Sequence, residues 1–185
     1  INSLKSKYKS EELALFLGAG VSIESGIPLW NELVNSLLAK MIASRFKKTK
    51  ISTEELNAII NIAYQNQSNS SITQMRYIRS AFDNVTYNKL VHDALYSGKP
   101  TIKSNMLKAI SSICTPTRNH IGVQGIVTYN FDDLIERRLT KDNVAVNPIY
   151  DESGHSLSNK LSIFHVHGFL PKRSTEEGSC ELIFS

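Results

Sequence analysis

The first residues with clear chemical potential are two glycines and a serine near the start of the chain. Gly18 and Gly20 follow the apolar run 13–17, and Ser22 comes shortly after them. Because glycine has no Cβ, neighbouring backbone N–H groups can approach an anion closely, and the N-terminus of a following helix adds a favourable dipole. This order predicts a phosphate-binding loop between a strand and a helix.

The loop differs from two familiar phosphate-binding patterns. Ile23 stands where the usual dinucleotide fingerprint has its third glycine, and no Lys-Ser or Lys-Thr pair makes a P-loop. From these residues alone, a plain strand-to-helix turn that needs glycine for its shape is an equal alternative.

A second polar group, Thr128, Asn130 and Asp132, follows the apolar run that begins at Gly125. Ligands of open α/β sheets bind at the carboxyl ends of the strands, so this position suits binding or catalysis. The simpler interpretation makes Asn130 a turn residue and Asp132 or Asp133 a helix cap.

Two histidines close the apolar run 161–167. His165 and His167 are two residues apart, so they would share one face of a strand and could be a pair of metal ligands. No clear third or fourth ligand accompanies them, and a structural histidine is a further interpretation.

In order along the chain, these segments resemble the motifs of the sirtuins. The glycine loop with Gly26 and Pro28 is similar to the sirtuin nucleotide-binding loop. Residues 128–132 resemble the Thr-Gln-Asn-Ile-Asp motif, with Tyr129 in place of the glutamine, and His167 with Gly168 matches the histidine-glycine pair. Sirtuins bind NAD on a variant Rossmann fold, and the resemblance implies both for this chain.

The departures from the sirtuin pattern point to one branch. Leu29, Trp30 and Asn31 replace the Asp-Phe-Arg of sirtuin deacylases, and Cys180 is the only cysteine after the histidines, where deacylases carry a zinc module. The combination looks like the sirtuin-like NAD-hydrolase domains of bacterial anti-phage defence proteins, which deplete NAD during infection.

The resemblance implies NAD as the substrate, cleaved at its nicotinamide–ribose bond without a metal. It implies catalytic roles for Asn130, Asp132 and His167. The residues that it implies for NAD binding are Gly18, Ala19, Gly20, Ser22, Gly26, Pro28, Trp30, Thr128 and Gly168. An NAD-dependent protein deacylase and a non-catalytic module that senses NAD or ADP-ribose are the alternatives.

Composition limits the remaining classes. The 185 residues carry a net charge of +4, with basic residues in scattered short groups, which disfavours a nucleic-acid-binding surface. Two cysteines favour neither a disulfide framework nor a four-thiolate zinc site, and they fit a reducing cytoplasm. No apolar run has the roughly 20 residues that cross a bilayer. The chain begins at Ile1 and ends in an apolar run, so we expect a fragment of a longer protein.

Alternating apolar runs and helical patterns predict a single α/β domain over residues 1–185 with a Rossmann-like parallel sheet. The predicted strands are 13–17, 125–130, 144–150, 161–167 and 181–184, and the first has both faces covered. A short helix precedes the first strand, and others are predicted from Asn31 to about 47, after the capping box of Ser52 and Glu55, and over 72–82, 87–96, 101–114 and 131–139.

The helical section from about 47 to 118 is longer than a crossover needs, so it predicts an inserted subdomain. Such an insert could cover the ligand cleft or make subunit contacts. We expect a homo-oligomer that assembles through this insert or through a further C-terminal region, with a phage-derived or signalling molecule as a possible trigger.

Overall fold

A computed structural model gives the fold of residues 2–10, 12–45, 52, 54, 55, 57–59, 61, 71–117 and 122–173. The strand predicted at 181–184 lies outside these residues. The described residues divide into two compact units, the first within 1–27 and 98–173 and the second within 28–97.

The first unit contains a four-stranded sheet in which every strand pair is parallel. Its strands are β1 (Ala14–Leu17), β2 (Gly125–Thr128), β3 (Val146–Ile149) and β4 (Leu161–His165), in the spatial order β1-β2-β4-β3. The predicted α/β class with a parallel sheet is therefore confirmed.

The register of the sheet brings three strand ends side by side. Leu17 of β1 pairs with Thr128 of β2, and Thr128 pairs with His165 of β4. The segments that leave β1, β2 and β4 therefore start next to each other at one edge of the sheet. These are the segments that contain the predicted site residues.

The helices of this unit are α1 (Asn2–Lys9), α2 (Gly20–Ile23), α6 (Asn105–Cys114) and α7 (Leu134–Lys141). Their buried apolar side chains include Leu107 of α6 and Leu134 and Leu139 of α7, and α6 packs against α7. The central strands contribute Ile126 and Ile163, which are fully buried. Burial of these side chains is the main favourable contribution to the stability of the unit.

The prediction that both faces of β1 are covered is wrong for the described residues. Phe16 is 70% exposed, and Phe164 in the same row of the sheet is 37% exposed. An uninterrupted apolar run suggests burial on both sides, but among the described strands β1 lies at one of the two edges, and no described element covers the face that carries Phe16. The sequence pattern does not tell which strand lies at an edge.

The second unit is helical. It contains α3 (Trp30–Arg45), α4 (Ser71–Ser80) and α5 (Asn84–Leu95), and α3 packs against both of the others. The buried core of this unit includes Val34, Leu37, Met75, Ile78 and Val91. Residues 54, 55, 57–59 and 61 are also helical, and the predicted capping box is present: Ser52 N donates to Glu55 Oε2 at 2.8 Å, and Glu55 N donates to Ser52 Oγ at 3.2 Å.

The helical unit and the predicted insert of 47–118 have different bounds, and the insert stays a prediction. Helix α3 belongs to the second unit, whereas α6 belongs to the first, where Leu107, Ile110 and Cys114 are buried. The amphipathic pattern of α6 shows that one face is apolar, but not that α7 is its partner.

Among the described residues, no helix is long and apolar enough to cross a membrane.

Candidate functional site

The loop after β1 is open and ends in a short helix. Gly18, Ala19 and Gly20 are exposed, and the short helix α2 starts at Gly20, in addition to the helix that was expected from Asn31. Val21 N donates to Gly18 O and Ser22 N donates to Ala19 O, both at 3.0 Å. In the described part of the chain, no hydrogen bond occupies the N–H groups of Ala19 and Gly20.

The fold itself does not require glycine at positions 18 and 20. Neither residue has a positive φ, and a Cβ built on either meets no atom within 4 Å. The alternative that these glycines only shape a turn therefore has no support from the backbone. An open loop with two available N–H groups can accept an anion at close range.

Asn130 joins this loop to the segment after β2. Its Nδ2 donates to Gly18 O at 3.2 Å and to Ser22 Oγ at 3.0 Å, and its backbone N donates to Thr128 Oγ1 at 3.1 Å. Ser22 and Thr128 are completely buried, and Asn130 is 8% exposed. Asn130 is thus more than a turn residue, because its side chain fixes the glycine loop against the end of β2.

Asp132 extends the same hydrogen-bond network. Its carboxylate accepts from Leu134 N at 3.1 Å, at the start of α7, and from the Ser22 hydroxyl. Burial raises the pKa of Asp132 to about 6, while the two hydrogen bonds oppose the rise and the charges of Glu136 and Asp133 add to it. The capping interpretation is therefore correct in part, since Asp132 holds the first N–H of α7.

This capping contact also explains why α7 starts at Leu134 and not at Phe131, where the sequence placed its beginning. Residues 131–133 form the turn in which Asp132 reaches the helix. The cap position itself, Asp133, makes no capping bond with its side chain and instead accepts from Arg137 Nη1 and Lys172 N.

His165 is the buried partner of this segment. Its Nδ1 lies 3.1 Å from Asn130 O, and its Nε2 lies 2.7 Å from Glu136 Oε1. A carbonyl oxygen only accepts, so Nδ1 carries a proton, and the short contact to Glu136 needs a second proton between the two groups. His165 therefore has a structural role, which agrees with the interpretation of this residue as a structural histidine.

The metal-pair interpretation of His165 and His167 is not supported. Both ring nitrogens of His165 already have protein partners, and β4 ends at His165, so the two residues do not share a strand face. Within the described ranges there is no cluster of three or more His, Cys, Asp or Glu that could hold a metal.

His167 lies beside the Asn130 segment in a half-exposed position. Its ring centroid is 5.3 Å from that of Tyr129 and 6.3 Å from that of Phe131, the two neighbours of Asn130 in sequence. Gly168 follows with a φ of 98°, and its N–H donates to His165 O at 3.3 Å. The glycine after His167 is therefore required by a tight turn.

The remaining predicted NAD contacts are divided between the two units. Gly26 has a φ of 95°, and a Cβ there would lie 3.6 Å from Pro100 Cα, so its conformation explains the glycine. Pro28 and Trp30 belong to the second unit, and their contacts with NAD stay predictions.

Sequence reasoning missed Glu136, although a signal was present. Glu136 lies three residues before Leu139 and next to Ile135, so it falls on the buried side of α7, where a carboxylate needs a partner. The partner, His165, is distant in sequence. Comparison with protein-family models and with curated proteins found no match for this chain.

Proposed function

We propose that this protein is a sirtuin-like NAD hydrolase, which cleaves the nicotinamide–ribose bond of NAD to give nicotinamide and ADP-ribose. The observation that carries the proposal is the network in which Asn130 joins Gly18, Ser22 and, through Ser22, Asp132. It supports a site in which an open anion-binding loop and a group of buried polar side chains share one edge of a parallel sheet.

The glycine loop is the proposed site for the pyrophosphate. The available N–H groups of Ala19 and Gly20 would donate to its oxygens, and the absence of Cβ atoms at positions 18 and 20 leaves room for that approach. The same proposal assigns NAD contacts to Ser22, Gly26, Pro28, Trp30, Thr128 and Gly168.

The chemical step is proposed at Asn130, Asp132 and His167. Water attacks the ribose carbon, the bond to nicotinamide breaks with its electron pair going to the pyridine nitrogen, and one proton is released. Asn130 orients the ribose or the water, Asp132 holds Asn130 through Ser22, and His167 accepts the proton. Orientation and a nearby base are the contributions that such a hydrolysis needs.

The wider biological setting is part of the same proposal and rests on the resemblance alone. It comprises NAD depletion in anti-phage defence, a cytoplasmic location and assembly of a homo-oligomer after a phage-derived or signalling trigger. The helical unit of residues 28–97 is the candidate for the inserted subdomain that makes subunit contacts.

The test is nicotinamide release from NAD by the whole protein, with and without an acetylated peptide. Release without peptide that is lost in Asn130→Ala and His167→Ala supports the hydrolase. Asn84→Ala and His155→Ala are matched controls, since both side chains are exposed. Acyl transfer from the peptide to ADP-ribose would identify a deacylase, and NAD binding without release would identify a sensing module.

A further inference from the structure

The orientation of the Asn130 side-chain amide is fixed by its hydrogen-bond partners. One of them, Gly18 O, is a carbonyl oxygen that can only accept, so the amide atom that lies 3.2 Å from it must be Nδ2. The same nitrogen donates to Ser22 Oγ at 3.0 Å. The amide oxygen Oδ1 is therefore the end of the amide group that faces neither of these partners.

Oδ1 is the one polar atom of Asn130 that has no hydrogen-bond partner among the described residues. The backbone N donates to Thr128 Oγ1 at 3.1 Å, the backbone O lies 3.1 Å from His165 Nδ1, and Nδ2 has the two partners given above. Oδ1 keeps surface that is accessible to solvent, although the residue as a whole is only 8% exposed. This oxygen can therefore accept a hydrogen bond from an O–H group of a ligand.

The backbone of Asn130 is held on both sides of its side chain. Its N–H is bound to Thr128 Oγ1 and its C=O to His165 Nδ1, so the peptide groups before and after the residue both have a fixed orientation. The imidazole of His165 is fixed in turn, because its Nε2 lies 2.7 Å from Glu136 Oε1. The two peptide planes determine φ and ψ of Asn130 and hence the direction in which its side chain leaves the backbone.

His165 has no direct access to a substrate. Its side chain has no exposed surface, and its two ring nitrogens contact Asn130 and Glu136. Its ring also packs against that of Phe169, with the centroids 4.3 Å apart. Any contribution of His165 to a reaction must therefore act through a residue that it contacts.

We propose that His165, oriented by Glu136, is a positioning residue that holds Asn130 so that Oδ1 accepts a hydrogen bond from the reacting ribose or the attacking water. This inference rests on the proposed NAD hydrolysis. It adds the atom of Asn130 that acts and the two residues that place this atom. The placement matters for the rate, because a displacement of about 1 Å at a reacting group can slow a reaction by roughly a hundredfold.

The test compares two substitutions of His165 that remove the same ring. In His165→Asn the amide nitrogen takes the place of Nδ1 along the side chain and can donate to Asn130 O, whereas in His165→Gln it takes the place of Nε2 and leaves that oxygen without this donor. We expect kcat for nicotinamide release to fall roughly tenfold or more in His165→Gln and to be at least about threefold higher in His165→Asn than in His165→Gln. His155→Gln, at an exposed position, is the matched control.

Two substitutions of Glu136 give a second comparison, which decides the question if His165→Gln does not fold. Glu136→Gln can donate an N–H to His165 Nε2 and so keep the ring oriented, whereas Glu136→Met has a similar volume but no hydrogen-bond partner for Nε2. We expect kcat to be roughly threefold or more higher in Glu136→Gln than in Glu136→Met. Equal kcat values within the pair of variants that folds would overturn the positioning role.

Nuclear magnetic resonance tests the placement of Asn130 without any cleavage of NAD. In the whole protein with isotope-labelled asparagine, the side-chain amide signal that is lost in Asn130→Ala belongs to Asn130. We expect this signal to differ between His165→Asn and His165→Gln, because both lack the ring and only the first can donate to Asn130 O. Identical signals would overturn the positioning role. Absence of nicotinamide release by the wild type would instead overturn the proposed function, and the comparison of the signals would still decide whether His165 places Asn130.

Discussion

At the scale of single residues, the contrast between Gly20 and Gly26 separates binding from folding. The backbone conformation at position 20 does not require glycine, whereas Gly26 has a positive φ of 95°. We expect Gly20→Ala to leave the free energy of unfolding unchanged or to raise it by up to about 1 kcal/mol, because alanine favours the helix. Gly26→Ala should lower it by about 1 to 2 kcal/mol.

Calorimetric titration with NAD and thermal unfolding measure the two effects. Gly20→Ala should lose NAD affinity while it stays folded, because its methyl group occupies the space proposed for the pyrophosphate. NAD binding that is unchanged in Gly20→Ala would place the dinucleotide elsewhere.

Asp132 makes a residue-scale prediction about pH. Burial raises its pKa in the folded protein to about 6, above its ordinary value of 3.8, so the folded state holds the proton over a range in which the unfolded chain has released it. The contribution of Asp132 to stability is therefore present below about pH 4 and is lost as the pH rises to about 6, with a total of about 3 kcal/mol.

Asp132→Asn removes this titration but keeps an oxygen for the N–H of Leu134. The variant should lack the decline of stability between about pH 4 and 6, and it should be at least as stable as wild type at pH 7. Denaturant unfolding at a series of pH values measures the difference. If the free energy of unfolding changes with pH in the same way in wild type and variant across this range, Asp132 does not titrate there.

At the scale of elements, the buried contact between His165 and Glu136 links β4 to α7. The side chain of His165 is fully buried and that of Glu136 is 9% exposed, so removal of Glu136 leaves the buried Nε2 of His165 without this partner. We expect Glu136→Ala to lower the free energy of unfolding by about 3 kcal/mol or more. The double variant Glu136→Ala with His165→Ala should lose less than the sum of the single variants, and an additive loss would mean that the pair is not coupled.

The helix starts show what local sequence could and could not predict. The patterns predicted α5 from residue 87 and α6 from residue 101, whereas they begin at Asn84 and Asn105 because Asp83 and Ser104 accept from N–H groups of the first turns. Both capping residues are visible in the sequence and could have corrected the starts. The four-residue helix α2 was missed because one turn is too short to show a hydrophobic period.

Helix capping also gives a prediction at this scale. Ser104 is buried, accepts from Leu107 N at 3.3 Å and is bonded to Ser25 Oγ at 3.0 Å, whereas the cap of α5, Asp83, is exposed. Asp83→Ala should cost about 1 kcal/mol, and Ser104→Ala should cost about 2 kcal/mol because it also leaves the buried Ser25 hydroxyl without this partner. Denaturant unfolding measures the free energy of unfolding of the two variants. A larger loss of stability in Asp83→Ala than in Ser104→Ala would contradict the prediction.

At the scale of the whole molecule, the sequence predicted the parallel sheet because apolar runs alternate with helical patterns along most of the chain. The proximity of the segments after β1, β2 and β4 agrees with that prediction, since parallel strands place their carboxyl ends at one edge, but the strand order that makes these three neighbours was not predicted. The pairing of His165 with Glu136 and the exposure of Phe16 were not, because both depend on which elements become neighbours. The local sequence pattern predicts periodicity and burial. It does not predict which residues that are distant in sequence come into contact in the folded protein.

The most direct test of the central claim is nicotinamide release from NAD by the whole protein, measured by chromatography without any peptide. The account predicts release that falls by roughly a hundredfold or more in Asn130→Ala and in His167→Ala, because each removes a group proposed to act in the cleavage step. The controls Asn84→Ala and His155→Ala should retain the wild-type rate. Release that persists at the wild-type rate in both site variants would contradict the assignment of the catalytic edge.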